Sequence, residues 1–185
     1  MTFESLNIAI ALPEVFLLAM ACLVLVVDVF LSQQQRNFTY VLSQLTLIIT
    51  FVLVLSSQAD SRVLAFNDLY VQDAMADTLK LFILVVSFGV FVYSREYLVA
   101  RDIFKGEFYV LGLFSILGMM LMVSANNLLM LYLGLELLSL CLYALVAFSD
   151  STQHQGGGKA SEAAMKYFVL GAIASGMLLY GMSIL

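Results

Sequence analysis

The chain has 185 residues, 63% of them hydrophobic and 11% charged, with 13 acidic and 8 basic side chains and a formal net charge of -5. Together with a mean hydropathy of +1.02, these values exclude a soluble globular domain and a disordered chain. They describe a polytopic membrane protein with almost nothing left over for a soluble domain.

A helix needs about 20 mostly apolar residues to cross the hydrocarbon core of a bilayer. Six segments meet or approach that length, roughly 13–31, 40–56, 74–93, 108–123, 128–148 and 163–184, within one transmembrane domain covering 1–185. A transmembrane β-barrel would alternate apolar and polar residues, whereas the run from Phe16 to Val27 is apolar at every position. The expected fold class is therefore all-α, a bundle of about six membrane-spanning helices. Arg36, Arg95, Arg101, Lys105 and Lys159 fall in alternate connections and Arg62 alone in the others, which puts the first set inside and both termini on the outer face.

The first apolar run has neither a basic region before it nor a small-residue cleavage site after it, so it reads as a first span and not as a signal peptide. Pro13 and Glu14 read as a helix start, proline fitting the first turn and an acid favouring the positive end of the helix dipole. Cys22 and Cys141 read as buried small hydrophobes, and Asp28 as interfacial. The connection 57–73 is acidic through Asp60, Asp68 and Asp73 and shows no patterning, so it reads as a loop or a short re-entrant piece.

On the third helix Asp77 and Lys80 are three apart, with Asp73 four before Asp77, a row that reads as local pairing or snorkelling. The mixed charges of 94–107, which include Asp102, read as a solvated inner face suited to docking a subunit. The four-residue turn Ser124 to Asn127 makes the fourth and fifth helices antiparallel neighbours. The loop 150–161 is flexible, with His154 solvated. Its Gly-Gly-Gly-Lys159 lacks a glycine where Gln153 stands and a hydroxyl where Ala160 stands, so it is not a phosphate-binding loop. No metal-ligand spacing, nucleophile elbow, dinucleotide fingerprint or basic cluster suited to nucleic acid occurs, and no cofactor site is expected in the chain.

The chemistry concentrates on the fifth helix. Glu136 lies in the middle of its apolar run, where an ionisable group costs about 2.5–3.5 kcal/mol or more and marks a functional site by default. Tyr132, Glu136, Ser139 and Tyr143 are spaced four, three and four apart, one polar stripe able to hold water and relay protons. Desolvation disfavours an ionised carboxylate and a facing ammonium favours it, so such a group is switchable. The competing reading is a structural glutamate hydrogen-bonded to a neighbouring helix. Gly134 beside it allows close helix approach. Lys166 on the sixth helix follows Glu162 by four, so it forms either a surface pair or a charge facing Glu136. The small residues Gly171, Ala172, Ala174, Ser175 and Gly176 beyond it argue for tight packing.

The stretches Leu131-Tyr-Leu-Gly-Leu-Glu136 through Leu145 and Ser161-Glu-Ala-Ala-Met-Lys166 through Gly181, with Leu12-Pro13-Glu14 near the start, resemble the subunit N family of bacterial NADH:quinone oxidoreductase, respiratory complex I. The resemblance implies an antiporter-like subunit that helps couple quinone reduction to proton translocation, with Glu136 and Lys166 as proton-relay groups; by their spacing Tyr132, Ser139 and Tyr143 read as a supporting polar stripe. It also implies the inner membrane of a bacterium, a lipid bilayer and other membrane and peripheral complex I subunits as partners, and FMN, iron–sulfur clusters and quinone held by those partners. Many relatives have proline where Cys141 stands, and the family has about fourteen helices in two inverted repeats. The chain is therefore expected to be a fragment of a longer subunit or a truncated one. A cation/proton antiporter subunit of related fold and a structural membrane scaffold are the alternatives.

Overall fold

The computed structural model describes residues 8–31, 36–58, 62–101, 105–147 and 157–184. A single 3-10 turn at Ile8–Ala11 leads into α1 (Leu12–Phe30). There follow α2 (Arg36–Ser56), β1 (Val63–Ala65), β2 (Tyr70–Gln72), α3 (Ala74–Ala100), α4 (Glu107–Val123), α5 (Leu128–Ala147) and α6 (Gly157–Ile184). Among the described residues the result is a bundle of six helices, five of them long and apolar enough to cross a membrane and α4, at 17 residues, shorter. Asp60, Asp102 and His154 lie outside the described residues.

The helix ends have chemical causes. Pro13 occupies the first turn of α1. The Asp73 carboxylate caps α3 by accepting from the Ala76 amide at 2.7 Å, and Asn127 Oδ1 accepts from the Leu129 amide at 2.9 Å at the start of α5, contacts typically contributing about 1 kcal/mol each. α3 runs on to Ala100, past Arg95 and Glu96, so the first part of the connection 94–107 is helix.

α4 is apolar on all sides and correspondingly central. Its Tyr109, Leu113, Ile116, Leu117 and Met120 form the core with Leu17, Ala21 and Val24 of α1, Leu47 and Val54 of α2, and Leu84 and Phe91 of α3. α5 lies along α4 with almost nothing between them: a Cβ on Gly118 would stand 2.8 Å from the Gly134 carbonyl oxygen and 2.9 Å from the Leu138 amide nitrogen. The close approach read from Gly134 is thus the actual α4–α5 contact. α6 packs chiefly along α5. Of its small residues Gly171 meets the Tyr143 hydroxyl, whereas a Cβ on Gly176 would meet nothing. Tight packing therefore holds at Gly171 and not along the whole row.

The connection after α2 is not a plain loop. β1 and β2 form an antiparallel hairpin pairing Val63 with Gln72 and Ala65 with Tyr70. The turn holds Phe66, Asn67 and Asp68 at φ of 54°, 54° and 65°, a left-handed run that asparagine and aspartate tolerate better than most residues. The hairpin docks on the α4–α5 turn. The Val71 amide donates to the Ser124 carbonyl at 2.9 Å and the Asn126 amide to the Leu69 carbonyl at 3.0 Å. Arg62 donates to Asn126 Oδ1 at 2.7 Å, and Asn126 Nδ2 to the Asp68 carbonyl at 2.8 Å. Asn126→Ala removes two of these exposed bonds and is expected to loosen the hairpin by about 1 kcal/mol; amide hydrogen exchange should speed up across 63–72 and stay unchanged in α4.

At the opposite end, Thr39 donates to Asp28 Oδ1 at 2.6 Å, so Asp28 holds α1 to α2. Arg95 stacks on the Tyr40 ring at 4.9 Å and donates to Asn37. Cys141 is buried as read; Cys22 is exposed on the outer side of α1, because only one face of that helix meets the bundle.

Candidate functional site

The stripe on α5 turns away from α4. Successive helical residues advance about 100°, so Gly134, Leu138 and Cys141 share the face that meets α4, and Tyr132, Glu136, Ser139 and Tyr143 lie on the other. All four stripe residues are half-buried. Glu136 Oε1 is sealed from solvent with no hydrogen-bond partner, and the Tyr132 hydroxyl, one turn before it, interacts with the same carboxyl group. Tyr143 is the contact to α6, its ring edge-on to Tyr167 at 4.8 Å and to Phe168 at 5.7 Å.

Lys166 is not brought to Glu136. It pairs with Glu162 at 2.5 Å, with side chains 71% and 63% exposed, the surface pair allowed by their spacing. Register explains the separation. Tyr143 meets Tyr167, Phe168 and Gly171 across an antiparallel pair, so Lys166 sits opposite the end of α5, about ten residues or 15 Å along the axis from Glu136 at 1.5 Å per residue. The same register puts Ser175 at about the depth of Glu136.

A second charged cluster, more deeply buried, lies at the hairpin end of the bundle. Lys80 Nζ stands 2.7 Å from Glu14 Oε1 and donates to the Tyr70 hydroxyl at 2.8 Å, with Nζ 5.0 Å from the centroid of the same ring. Gln72 Nε2 donates to both Asp77 oxygens, at 3.2 and 3.1 Å, and to the Ser57 carbonyl at 2.5 Å. Glu14, Tyr70, Gln72, Asp77, Lys80 and Ser124 are all under 5% exposed. Burial first, then the Glu14 carboxylate, push the Tyr70 phenol well above its usual range.

This cluster corrects three readings. Glu14 does not simply face the helix dipole, because its carboxylate is spanned by an ammonium from α3. Lys80 does not snorkel, since it lies 2% exposed inside the bundle. Asp73 caps its own helix rather than joining a charged row. The pair joins residues 66 positions apart, and no local spacing announces it. The one available signal was the joint presence of a carboxylate and an ammonium inside two different apolar segments, since such charges are seldom left unpaired.

The NADH:quinone oxidoreductase/Mrp antiporter transmembrane family matches residues 125–185, which hold Glu136 and Lys166. NADH-quinone oxidoreductase subunit N of Thioalkalivibrio sulfidiphilus is 54% identical over 185 residues, covering 100% of this chain and 38% of that protein. The chain is subunit-N-like along its whole length. The subunit N of Alkalilimnicola ehrlichii is 50% identical over 179 residues, 97% of this chain and 36% of that one. The subunit-N-like chain thus spans less than two fifths of the length of these relatives. Among solved structures, respiratory complex I from Thermus thermophilus with bound aureothin superposes with a TM-score of 0.71 at 28% identity, covering 91% of this chain and 35% of that one. The membrane-bound sulfane sulfur reductase, an archaeal respiratory membrane complex, gives 0.68 at 26% identity, over 93% of this chain and 36% of its own. Among the described residues no group of three or more His, Cys, Asp or Glu side chains is arranged to hold a metal ion.

Proposed function

We propose that this chain forms part of the antiporter-like membrane subunit of a bacterial NADH–quinone oxidoreductase, in which Glu136 takes up and releases a proton during translocation coupled to quinone reduction. The observation that carries this reading is a half-buried carboxyl group on a membrane helix with one oxygen sealed and unpartnered, inside the segment that matches the proton-antiporter family. Such a group accepts a proton without first breaking a hydrogen bond at that oxygen. A proton crossing 100 mV exchanges about 2.3 kcal/mol with the field, so a modest change in the surroundings of Glu136 suffices to drive each step.

Tyr132, Ser139 and Tyr143 extend the path along α5, and Tyr143 carries it toward the depth of Lys166. Lys166 then acts as a charge at the far end of the stripe, about 15 Å from Glu136, rather than as its contact partner. The six apolar segments are the membrane crossings. The end bearing Arg95, Arg101 and Lys105 faces the inside and the hairpin end the outside, in the inner membrane of a bacterium. FMN, iron–sulfur clusters and quinone belong to the peripheral and membrane subunits with which this chain assembles.

The test replaces Glu136 by glutamine, which keeps the shape but does not ionise, in the complete complex reconstituted into vesicles. NADH-driven acidification is expected to fall while native gels show an assembled complex; full acidification would overturn the role. A second reading follows from the family description, which includes Mrp antiporters: a cation/proton antiporter subunit working without NADH or quinone. Sodium-dependent proton exchange in vesicles lacking any dehydrogenase would favour that reading.

A further inference from the structure

The Glu14 and Lys80 pair has no sufficient explanation in stability. Charges at membrane depth are expensive, and well-packed apolar residues commonly replace a buried ion pair at no cost or with a gain. The surroundings of the pair point elsewhere. The Tyr70 hydroxyl accepts from Lys80 and neighbours both Glu14 and Ser124. Glu14 Oε2 and Ser124 Oγ are buried, and neither has a well-aligned hydrogen-bond partner. The site therefore has acceptor capacity in reserve, enough for one further hydrogen. Its charged neighbours are Glu14 from α1 and Asp77 and Lys80 from α3; Tyr70 comes from the hairpin and Ser124 from the end of α4. The phenol stays an O–H group because burial and the adjacent carboxylate oppose its ionisation, and a neutral hydroxyl passes on one proton as it accepts another.

We propose that Glu14, Tyr70 and Lys80 form a second proton-exchange station, on the α1–α3 side of the bundle and separate from Glu136. The proposal rests on the reading of the chain as part of a proton-translocating subunit. In the exchange the Lys80 ammonium gives a proton to Glu14: an N–H bond breaks, an O–H bond forms, and the charged pair becomes a neutral one across the 2.7 Å contact. The free amine then takes the Tyr70 hydroxyl proton while Tyr70 receives the entering proton from a hydronium ion, which is left as water, and the ammonium is restored. Glu14 returns to the carboxylate when its own proton leaves. One proton enters, one departs, and no electrons move.

The experiment uses the complete complex in vesicles and compares protons moved per NADH oxidised. The neutral, shape-matched double variant Glu14→Gln/Lys80→Met removes both exchanging groups without leaving a lone buried charge, and the ratio is expected to fall. Tyr70→Phe keeps both charges and the ring, and is expected to lower the ratio as well. It supplies the answer on its own if the double variant does not assemble. A wild-type ratio in Tyr70→Phe, or in the assembled double variant, overturns the station. Glu136→Gln measured in parallel separates the two ideas: impairment there with normal ratios in the other variants rejects the second station alone. Normal ratios in all of them reject the underlying reading of the chain.

Discussion

Lys80→Met is expected to be the most destabilising single substitution in the bundle. Removing one partner of a buried ion pair leaves the other charge uncompensated and costs about 3–5 kcal/mol. Here the survivor would be Glu14, 3% exposed and walled in by α1, α3 and the hairpin. The double variant Glu14→Gln/Lys80→Met should recover most of the loss, because neither side chain then carries a charge. The midpoint of thermal unfolding of the solubilised complex measures both. A Lys80→Met midpoint equal to wild type would show that water reaches the pair.

Gly118→Ala is expected to part α4 from α5. The added Cβ meets backbone on the facing helix, the Gly134 oxygen at 2.8 Å and the Leu138 nitrogen at 2.9 Å, and backbone does not swing aside as the tip of a side chain does. Overpacking of this kind costs about 1–3 kcal/mol. The reciprocal change, Gly134→Ala, meets Met122 Cγ at 2.8 Å and the Gly118 oxygen at 2.9 Å and should behave alike. Gly176→Ala is the control, since its Cβ would enter open space. The yield of assembled subunit should drop for the first two and hold for the third; equal yields for all three would disprove the glycine contact.

The helical architecture was legible because each apolar run is long and uninterrupted, and a four-residue turn between α4 and α5 leaves antiparallel contact as the only geometry. The close approach at Gly134 was legible because glycine stands there among leucines. The hairpin was not, since Val63–Ala65 and Tyr70–Gln72 are too short to show alternation and the turn between them lacks glycine. Its stability comes from hydrogen bonds to Ser124 and Asn126, more than fifty residues away. Distance along the chain also hid the partnership of Glu14 and Lys80. Each has a plausible local role, one at a helix start and the other beside Asp77, and only tertiary packing overrides both. For Lys166 the spacing from Glu162 was visible, but which of its two readings applies depends on the α5–α6 register, set by where Tyr143 meets Gly171.

The two sides of α5 differ mechanically. Toward α4 the glycine contact is backbone against backbone, Gly118 facing the Gly134 carbonyl and the Leu138 amide, with no flexible side chain between these atoms to yield. Toward α6 the described contact is the rim of aromatic rings around Tyr143, which tolerates tilting. α4 and α5 therefore move as one rigid strut, braced at its hairpin end by the dock on Asn126.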